Sequence, residues 1–202
     1  MQKQFLCLAN ARHKGGRILI VSPIEDTNVS TSETRPIFTM IAKGSKNNIP
    51  TGFVADVLPL DIIQVKLSAP AQKGATLTID PWSLQLPARI SSTHFRKNIA
   101  PTLESKNHAS PNPILGQENS IQLLNVQSCQ ISEPRQGKQA PTPMLAYGLN
   151  GVAMRSPTCD ALLLDSYHAD ECIGQFPKDA FIVLQQRIVG QEESPIVLGV
   201  IQ

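Results

Sequence analysis

The stretch FLCLANARHKGGRILIV, from Phe5 to Val21, places a charged, glycine-containing turn between two hydrophobic runs. Hydrophobic runs that flank a Gly-Gly pair are typical of two strands joined in a hairpin. The turn, residues 11–17, carries three permanent positive charges and one histidine. Positive charge beside open backbone N–H groups suits phosphate or another anion, and a solvated hairpin tip is the alternative interpretation.

The composition outside this hairpin is that of a globular protein built from short elements. Of the 202 residues, 41% are hydrophobic and 17% are charged, as in ordinary folded domains. Aromatic residues make up only 4%, so the core must depend on Ile, Leu and Val. The 16 prolines favour many short strands joined by turns over long helices.

The charge is unevenly distributed along the chain. The net charge of +2 is too small to predict a polyanionic partner by itself. Residues 1–50, however, hold seven Lys or Arg and three Asp or Glu, and residues 111–202 hold five against nine. The front of the chain is therefore the better candidate for an anionic partner, and the back for packing or protein contacts.

Several further segments of the first half have the pattern of strands. Residues 35–41 form a short hydrophobic run that begins with an Arg-Pro pair. In residues 62–67 the apolar Ile63, Val65 and Leu67 alternate with polar residues, which is the period-two pattern of a half-buried strand. Residues 75–80 repeat that alternation, and a strand or a single turn is expected at 82–86.

The second half restarts with a similar series of predicted strands. Residues 121–126 are expected to form a strand, and Asn150-Gly151 is a strong signal for a two-residue hairpin turn. The run 161–165 is interpreted as a buried strand. Residues 180–188 and 195–201 are predicted to pair as a closing hairpin.

About ten short strands and few helices indicate an all-β, or mainly β, fold. Two small β-barrels are the favoured architecture, and a single sandwich is the alternative. The polar, proline-containing segment 95–118 is the predicted linker, with a short helix at 99–106. The predicted domains are thus a basic barrel, 1–94, and an acidic barrel, 119–202.

The opening residues, Leu8-Ala9-Asn10 followed by Gly15-Gly16-Arg17, resemble the start of the bacterial dual OB-containing domain proteins. Further short similarities are Thr34 to Ile37, Pro59 to Val65, Thr78 to Asp80 and the final run 196–201. The resemblance implies two OB-like barrels. By analogy it also implies nucleic-acid handling within a ribonucleoprotein or defence-type complex.

The nucleic-acid hypothesis needs a basic groove with aromatic rings on which bases stack. The aromatic residues Phe38, Phe53 and Trp82 are each expected in the core. Residues 94–97 are the one place where an aromatic residue alternates with positive charge, and exposure is expected there because they lie in the predicted linker. The candidate residues for binding single-stranded DNA or RNA are Arg12, His13, Lys14, Arg17, Arg35, Lys43, Lys46, Phe95, Arg96 and Lys97.

No sequence motif specifies catalysis, a cofactor or a metal. Cys159, His168 and Cys172 lie close in sequence, but zinc sites use paired, closely spaced ligands, and a fourth ligand would have to be Cys129 or Asp170. Neither a phosphate-binding loop nor a dinucleotide-binding glycine pattern is present. We therefore expect a non-enzymatic protein without cofactor or bound metal.

The predicted location is the cytoplasm, because the N-terminus does not resemble a signal peptide and the cysteines are scattered. No apolar run approaches the length of a membrane span, so no membrane partner is expected. The alternative function is that of a structural subunit, which contacts other protein subunits through strand edges and loops.

Overall fold

The chain is mainly β, as predicted, and divides into two compact units, Met1–Leu103 and Glu104–Gln202. Each unit is described separately below. The computed structural model describes residues 2–24, 35–45, 47–68, 76–103, 121–132, 143–168, 180–185, 188–189, 192–193 and 195–202.

The first unit is a closed five-stranded barrel with the strand order β1-β2-β3-β5-β4. All neighbouring strands are antiparallel except β3 and β5, which run parallel. This is the arrangement of an OB-fold, a Greek-key barrel of five strands. The strands are β1 (Gln2–His13), β2 (Gly16–Pro23), β3 (Phe38–Ala42), β4 (Asp61–Leu67) and β5 (Thr76–Arg89).

Strand β1 closes the ring because it serves two neighbours. Its first residues, Gln2 to Leu6, pair with β4, and residues from Phe5 onward pair with β2. A register shift between Cys7 and Ala9 bends the strand between these two partners. The hairpin predicted at 5–21 is therefore confirmed, and its first strand closes the barrel by pairing with β4.

The barrel interior is filled by aliphatic side chains in the alternation that the sequence predicts. On β4, Ile63 and Val65 are buried and Lys66 is exposed. The core comprises Phe5, Cys7, Leu19, Val21, Met40, Ala42, Ile49, Val54, Val57, Ile63, Val65, Leu77 and Ile79.

A short 3-10 turn, Thr51–Phe53, occupies the connection between β3 and β4. The side chain of Asn10, which is buried on β1, donates from Nδ2 to the carbonyl oxygens of Val54 and Val57, at 2.8 and 2.9 Å. The side-chain amide of Asn10 thus links the connection between β3 and β4 to strand β1.

A helical segment, residues 92–103, ends the first unit, in three successive pieces: Ser92–His94, Phe95–Ile99 and Ala100–Leu103. Ser91 caps it by accepting the N–H of His94 at its Oγ, at 3.2 Å. Helical structure therefore begins before the helix predicted at 99–106. The predicted domain limits of 1–94, 95–118 and 119–202 stay a prediction, since residues 104–120 lie outside the described part of the chain.

In the second unit, strands β6 to β13 form three small sheets with the orders β13-β10-β6, β7-β8-β9 and β11-β12. The strands are β6 (Ile121–Val126), β7 (Ser128–Ser132), β8 (Met144–Leu149), β9 (Val152–Pro157), β10 (Ala180–Gln185), β11 (Ile188–Val189), β12 (Glu192–Glu193) and β13 (Ile196–Ile201).

The two larger sheets of this unit repeat the ring order of the first barrel. Only Gln127 separates β6 from β7, so together they correspond to one bent first strand. At the other side, a parallel bridge between Thr158 and Val197 joins the end of β9 to β13. The N–H of Cys159 also bonds to the carbonyl oxygen of Val197, at 2.8 Å. The ring β6/β7-β8-β9-β13-β10 is therefore OB-like.

The prediction of a buried strand at 161–165 is wrong, because the segment belongs to a helix, Ala161–His168. Asp160 stands just before it and accepts the N–H groups of Leu162 and Leu163 at Oδ1, at 2.9 and 3.2 Å. An aspartate in this position is a strong helix start signal, whereas an apolar run alone does not distinguish strand from helix.

Two other predictions for the second unit are confirmed. Asn150 and Gly151 have φ of 51° and 79° and connect β8 to β9 with Leu149 opposite Val152, as in a type I′ hairpin. Strands β10 and β13 pair antiparallel, as expected for the closing hairpin. Of the helices that the structure describes, none is long and apolar enough to cross a membrane.

Candidate nucleic-acid interface

The tip of the β1–β2 hairpin is a two-residue turn of Lys14 and Gly15. Their φ angles of 45° and 79° are both in the left-handed region, as a type I′ turn requires. Arg12 and Lys14 are exposed, and His13 is half-buried. In an OB-fold the loop between the first two strands is one of the two loops that contact ligands.

This tip is held against the loop that follows β3. The Nδ2 of Asn48 donates to the carbonyl oxygen of Lys14 at 2.9 Å. Arg17 and Ile49 exchange two backbone hydrogen bonds, at 2.8 and 2.6 Å. A Cβ on Gly16 would lie 2.7 Å from the carbonyl oxygen of Ile49, so glycine is needed for this close approach.

The loop after β3 adds a further cation to the same region. Lys43 is exposed, and its N–H donates to the carbonyl oxygen of Ile79 on β5 at 2.9 Å. The Oγ of Ser45 bonds to the carbonyl oxygens of Ala42 and Asn48, which closes the loop on itself. The predicted site residue Lys46 lies outside the described residues.

Seven of the candidate basic residues separate into two groups. Arg12, His13, Lys14 and Lys43 surround the hairpin tip. The other three, Arg35, Arg96 and Lys97, belong with the helical segment 92–103: the N–H of Arg35 bonds to the carbonyl oxygen of Thr102 at 2.9 Å, and Arg96 and Lys97 lie on the segment itself. Arg35 precedes β3 and Lys43 follows it, so the two groups lie at opposite ends of that strand.

Two of the predicted binding residues are buried. Arg17 is only 7% exposed, so its side chain is part of the folded hairpin and contributes little open surface. Phe95 is 0% exposed, and the expectation that it is exposed is wrong. The reason is that 92–103 is helical and buries Phe95, Ile99 and Leu103, residues four apart on one face.

The prediction that Trp82 lies in the core is also wrong, because the residue is 83% exposed. Its ring meets Phe53 edge to face, with centroids 4.6 Å apart and planes at 84°. Phe53 is half-buried at the end of the 3-10 turn, where it packs against the barrel core. The described part of the first unit therefore does present an aromatic surface.

A bulge in β5 explains the exposure of Trp82. Lys66 is opposite Asp80 and Gln64 is opposite Gln85, so six residues of β5 span the distance of three on β4. Trp82 donates its N–H to Oδ1 of Asp80 at 3.2 Å. The Oγ of Ser83 donates to the carbonyl oxygen of Asp80 at 2.6 Å and accepts the N–H of Lys66 at 2.8 Å. The sequence Asp-Pro-Trp-Ser carries this signal, because Asp, Pro and Ser are turn residues.

The outer face of β2 is closed. Leu19 and Val21 point into the core, yet Ile18 and Ile20 on the opposite face are also buried. OB-folds commonly bind ligands on the face of their second and third strands. The burial of Ile18 and Ile20 leaves little open surface on this face of β2.

The cysteine-containing region of the second unit shows no metal-binding arrangement among the described residues. Asp170, Cys172 and the side chain of His168 lie outside that part of the chain. Burial, with the charge of Asp160 as a second cause, raises the pKa of the Cys129 thiol from 9.0 to about 12. Cys129 is thus a buried, protonated thiol at neutral pH.

Comparison with known proteins gave no match to any protein-family model and none to any curated protein sequence. Solved structures that are similar include the p204 HINb domain, with 10% identity over 97% of this chain and 92% of that one, and a TM-score of 0.39. A murine DNA-binding protein bound with double-stranded DNA has 11% identity over 100% and 99%, and a TM-score of 0.37.

The Ifi202 HINa domain in complex with 20-base-pair double-stranded DNA is a third similar structure. It has 6% identity over 98% of this chain and 90% of that one, with a TM-score of 0.39. These similarities concern the mainly β architecture, and no residue role is transferred from them.

Proposed function

We propose that the chain is a non-enzymatic module that binds single-stranded DNA or RNA through the β1–β2 tip of its first barrel. The observation that carries this proposal is the exposed pair Arg12 and Lys14 on a tip that is already fixed by Asn48 and by the close approach of Gly16 to Ile49. A fixed tip loses little conformational entropy when it binds a phosphate backbone.

The charge around this tip favours an anionic ligand. Lys43 extends the positive surface along the loop after β3, and the first fifty residues as a whole carry an excess of four positive charges. Phosphate contacts of this kind supply most of the non-specific affinity for nucleic acids. The second unit is acidic, so we assign the binding surface to the first unit.

The sequence resemblance to dual OB-containing domain proteins supplies the proposed context. On that resemblance, we place the module in a larger ribonucleoprotein or defence-type complex, together with other protein subunits. The scattered cysteines favour the cytoplasm as its location. Membership of that family is part of the proposal.

The test is a salt titration with a labelled single strand. Fluorescence anisotropy between about 25 and 200 mM salt should give an affinity that falls linearly in a double-logarithmic plot. The double variant Arg12→Glu/Lys14→Glu should bind at least about tenfold more weakly and should reduce the slope by about 1.4, since each single-strand phosphate contact contributes about 0.7. Arg17 is left unchanged because it is buried.

The matched control is Lys3→Glu/Arg155→Glu, which changes the net charge equally. Both residues are exposed, Lys3 at the opposite end of β1 from the tip and Arg155 on β9 of the second unit. Equal losses in the two double variants would show that only overall charge matters. Absence of binding at low salt, or a preference for a duplex competitor over the single strand, would contradict the proposal.

The alternative is a structural subunit that contacts only proteins. One observation favours it: β3 pairs with β5 only from Thr76 to Ile79, so beyond Ile79 the strand has only β4 as a partner among the described residues. Pro81 and Pro87 lie in that open edge and lack N–H groups, which makes addition of a foreign strand less favourable. Purification from native extract, scored for nucleic acid and for protein, separates the two functions.

A further inference from the structure

We propose that Trp82 is the platform on which one base of the bound strand stacks, with Phe53 as its support. This inference rests on the proposed function and assigns a base-binding position to it. The cations of the tip account for contacts with phosphates, and they leave the bases without a partner.

The exposure of Trp82 is the first argument. A tryptophan is a large apolar side chain, and leaving most of it in water forgoes the free energy that burial would provide. Trp82 is 83% exposed even though its ring contacts Phe53. Every nucleic-acid base offers a flat face to such a ring, so stacking requires no particular sequence.

The rigidity of the position is the second argument. Pro81 has a fixed φ, and Asp80 accepts hydrogen bonds from the N–H of Trp82 and from the Oγ of Ser83. Phe53 is in turn anchored by its contacts with the barrel core. The indole is thus held on a supported bulge, which reduces the entropy lost on stacking.

The position relative to the cations is the third argument. The N–H of Lys43 bonds to the carbonyl of Ile79, and Trp82 follows three residues later, so the chain between Ile79 and Trp82 spans at most about 10 Å. Ile49 is paired with Arg17, and Phe53 follows it by four residues, which places it within about 14 Å. Both paths lead from the basic tip to the aromatic pair, so one short strand can contact both.

The charges around the aromatic pair are mixed. Lys43 and Lys66 are exposed cations, Asp56 is an exposed acid in the loop that follows Phe53, and Asp80 is a half-buried acid on β5 opposite Lys66. The carboxylate of Asp80 accepts the N–H of Trp82 within the bulge. The contribution of this position to binding is therefore stacking, and the electrostatic contribution belongs to the tip.

The chain contains one tryptophan, so intrinsic fluorescence reports on this position alone. Titration with an unlabelled oligothymidylate of about 15 nucleotides, within the usual site size of an OB-fold, should quench the emission with the same midpoint that anisotropy gives. Trp82→Ala should weaken binding by roughly 5- to 150-fold and leave the salt slope unchanged, because no phosphate contact is removed. Trp82→Phe should restore most of the affinity.

The control is Leu86→Ala, which removes another exposed apolar side chain from the same strand and should leave affinity unchanged. If the wild-type protein binds the labelled strand but its emission does not change, and Trp82→Ala binds equally well, stacking is excluded while the proposed function stands. If the wild-type protein binds no single strand at low salt, both proposals are wrong.

Discussion

The two OB-like units hold the connection between their third and fourth strands in different ways. One uses a side chain that donates hydrogen bonds, and the other uses a side chain that accepts them. The first unit uses the 3-10 turn Thr51–Phe53 and fastens it with Asn10, an amide that donates to two carbonyl oxygens. The second uses the helix Ala161–His168 and fastens it with Asp160, a carboxylate that accepts three N–H groups, including that of Val200 at 2.8 Å.

The difference follows from which backbone groups each connection leaves unpaired. The start of a helix presents N–H groups that have no partner within the helix, so an acceptor is required there. The turn after Phe53 instead directs the carbonyls of Val54 and Val57 toward β1, so a donor is required. In both units one buried polar side chain bonds to the unpaired backbone groups of the connection. Unpaired N–H groups require an acceptor, and unpaired carbonyl groups require a donor.

The largest expected effect is at Asp160. Asp160→Ala removes a helix cap and leaves the N–H of Val200 without its partner in the barrel wall, which should lower the free energy of unfolding of the second unit by about 3 kcal/mol. Hydrogen exchange of peptides from β10 and β13 measures the loss. Asp165→Ala, an exposed change on the same helix, serves as the control and should have little effect. If β10 and β13 were equally protected from hydrogen exchange in both variants, Asp160 would not stabilise the second unit as proposed.

Asn10→Ala should destabilise the first unit by about 2 kcal/mol, because two buried carbonyl groups lose their donor. Urea unfolding followed by Trp82 emission reports on this unit, and Gln4→Ala, exposed on the same strand, provides the reference. Asn10→Asp should be at least as damaging, since it places a carboxylate where a donor is needed. Stability unchanged in Asn10→Ala would mean that the turn is held by packing alone.

The two hairpins allow a matched pair of glycine substitutions. Gly16→Ala forces a Cβ against the backbone of Ile49 and should cost about 2 kcal/mol. Gly151→Ala meets nothing within 4 Å and should cost only about 1 kcal/mol, the penalty for a left-handed φ. The corresponding urea midpoints test whether only the first hairpin is docked. A larger loss at Gly151 would reverse that conclusion.

The smallest effect is a pH dependence confined to the second unit. The pKa of Cys129 is about 12 in the folded protein, against an ordinary value of 9.0, so the unfolded chain releases this proton first as the pH rises. Stability is therefore complete below pH 9 and falls between pH 9 and 12, by less than about 1 kcal/mol at pH 9.5.

Unfolding of Cys129→Ala at pH 8 and 9.5 provides the check, since the variant should lose this pH dependence. Tyr147 acts in the same direction at higher pH, because burial also raises its pKa above 10.0. Tyr147→Phe therefore serves as the companion variant. A steeper decline in Cys129→Ala than in the wild type would contradict the assignment.

Patterns that depend on neighbouring residues predicted the structure well. Three local patterns were enough to predict the elements they belong to, because local backbone geometry determines those elements. They are the alternation around Gln64, the turn at Asn150-Gly151 and the charged hairpin at 5–21. The run 161–165 was misassigned because its apolar residues suit either element, and the deciding feature was the cap at Asp160.

The candidate surface was harder to predict because it depends on which side chains the folded chain leaves in water. Phe95 and Trp82 are both aromatic residues near prolines or charge, yet one is buried by a helix and the other is exposed by a bulge. Burial of a single ring is decided by tertiary contacts and by strand register, and neither is encoded in a short window of sequence.

The docking of the β1–β2 tip on the loop after β3 has a consequence for folding. The contact of Asn48 with Lys14 and the contact of Trp82 with Phe53 each join residues that are distant in sequence, so both form only when the first unit folds. An isolated hairpin of residues 5–21 has the charges but not this geometry. A ligand that requires the assembled surface binds the folded state alone, so it should raise the melting temperature of the first unit as its concentration increases.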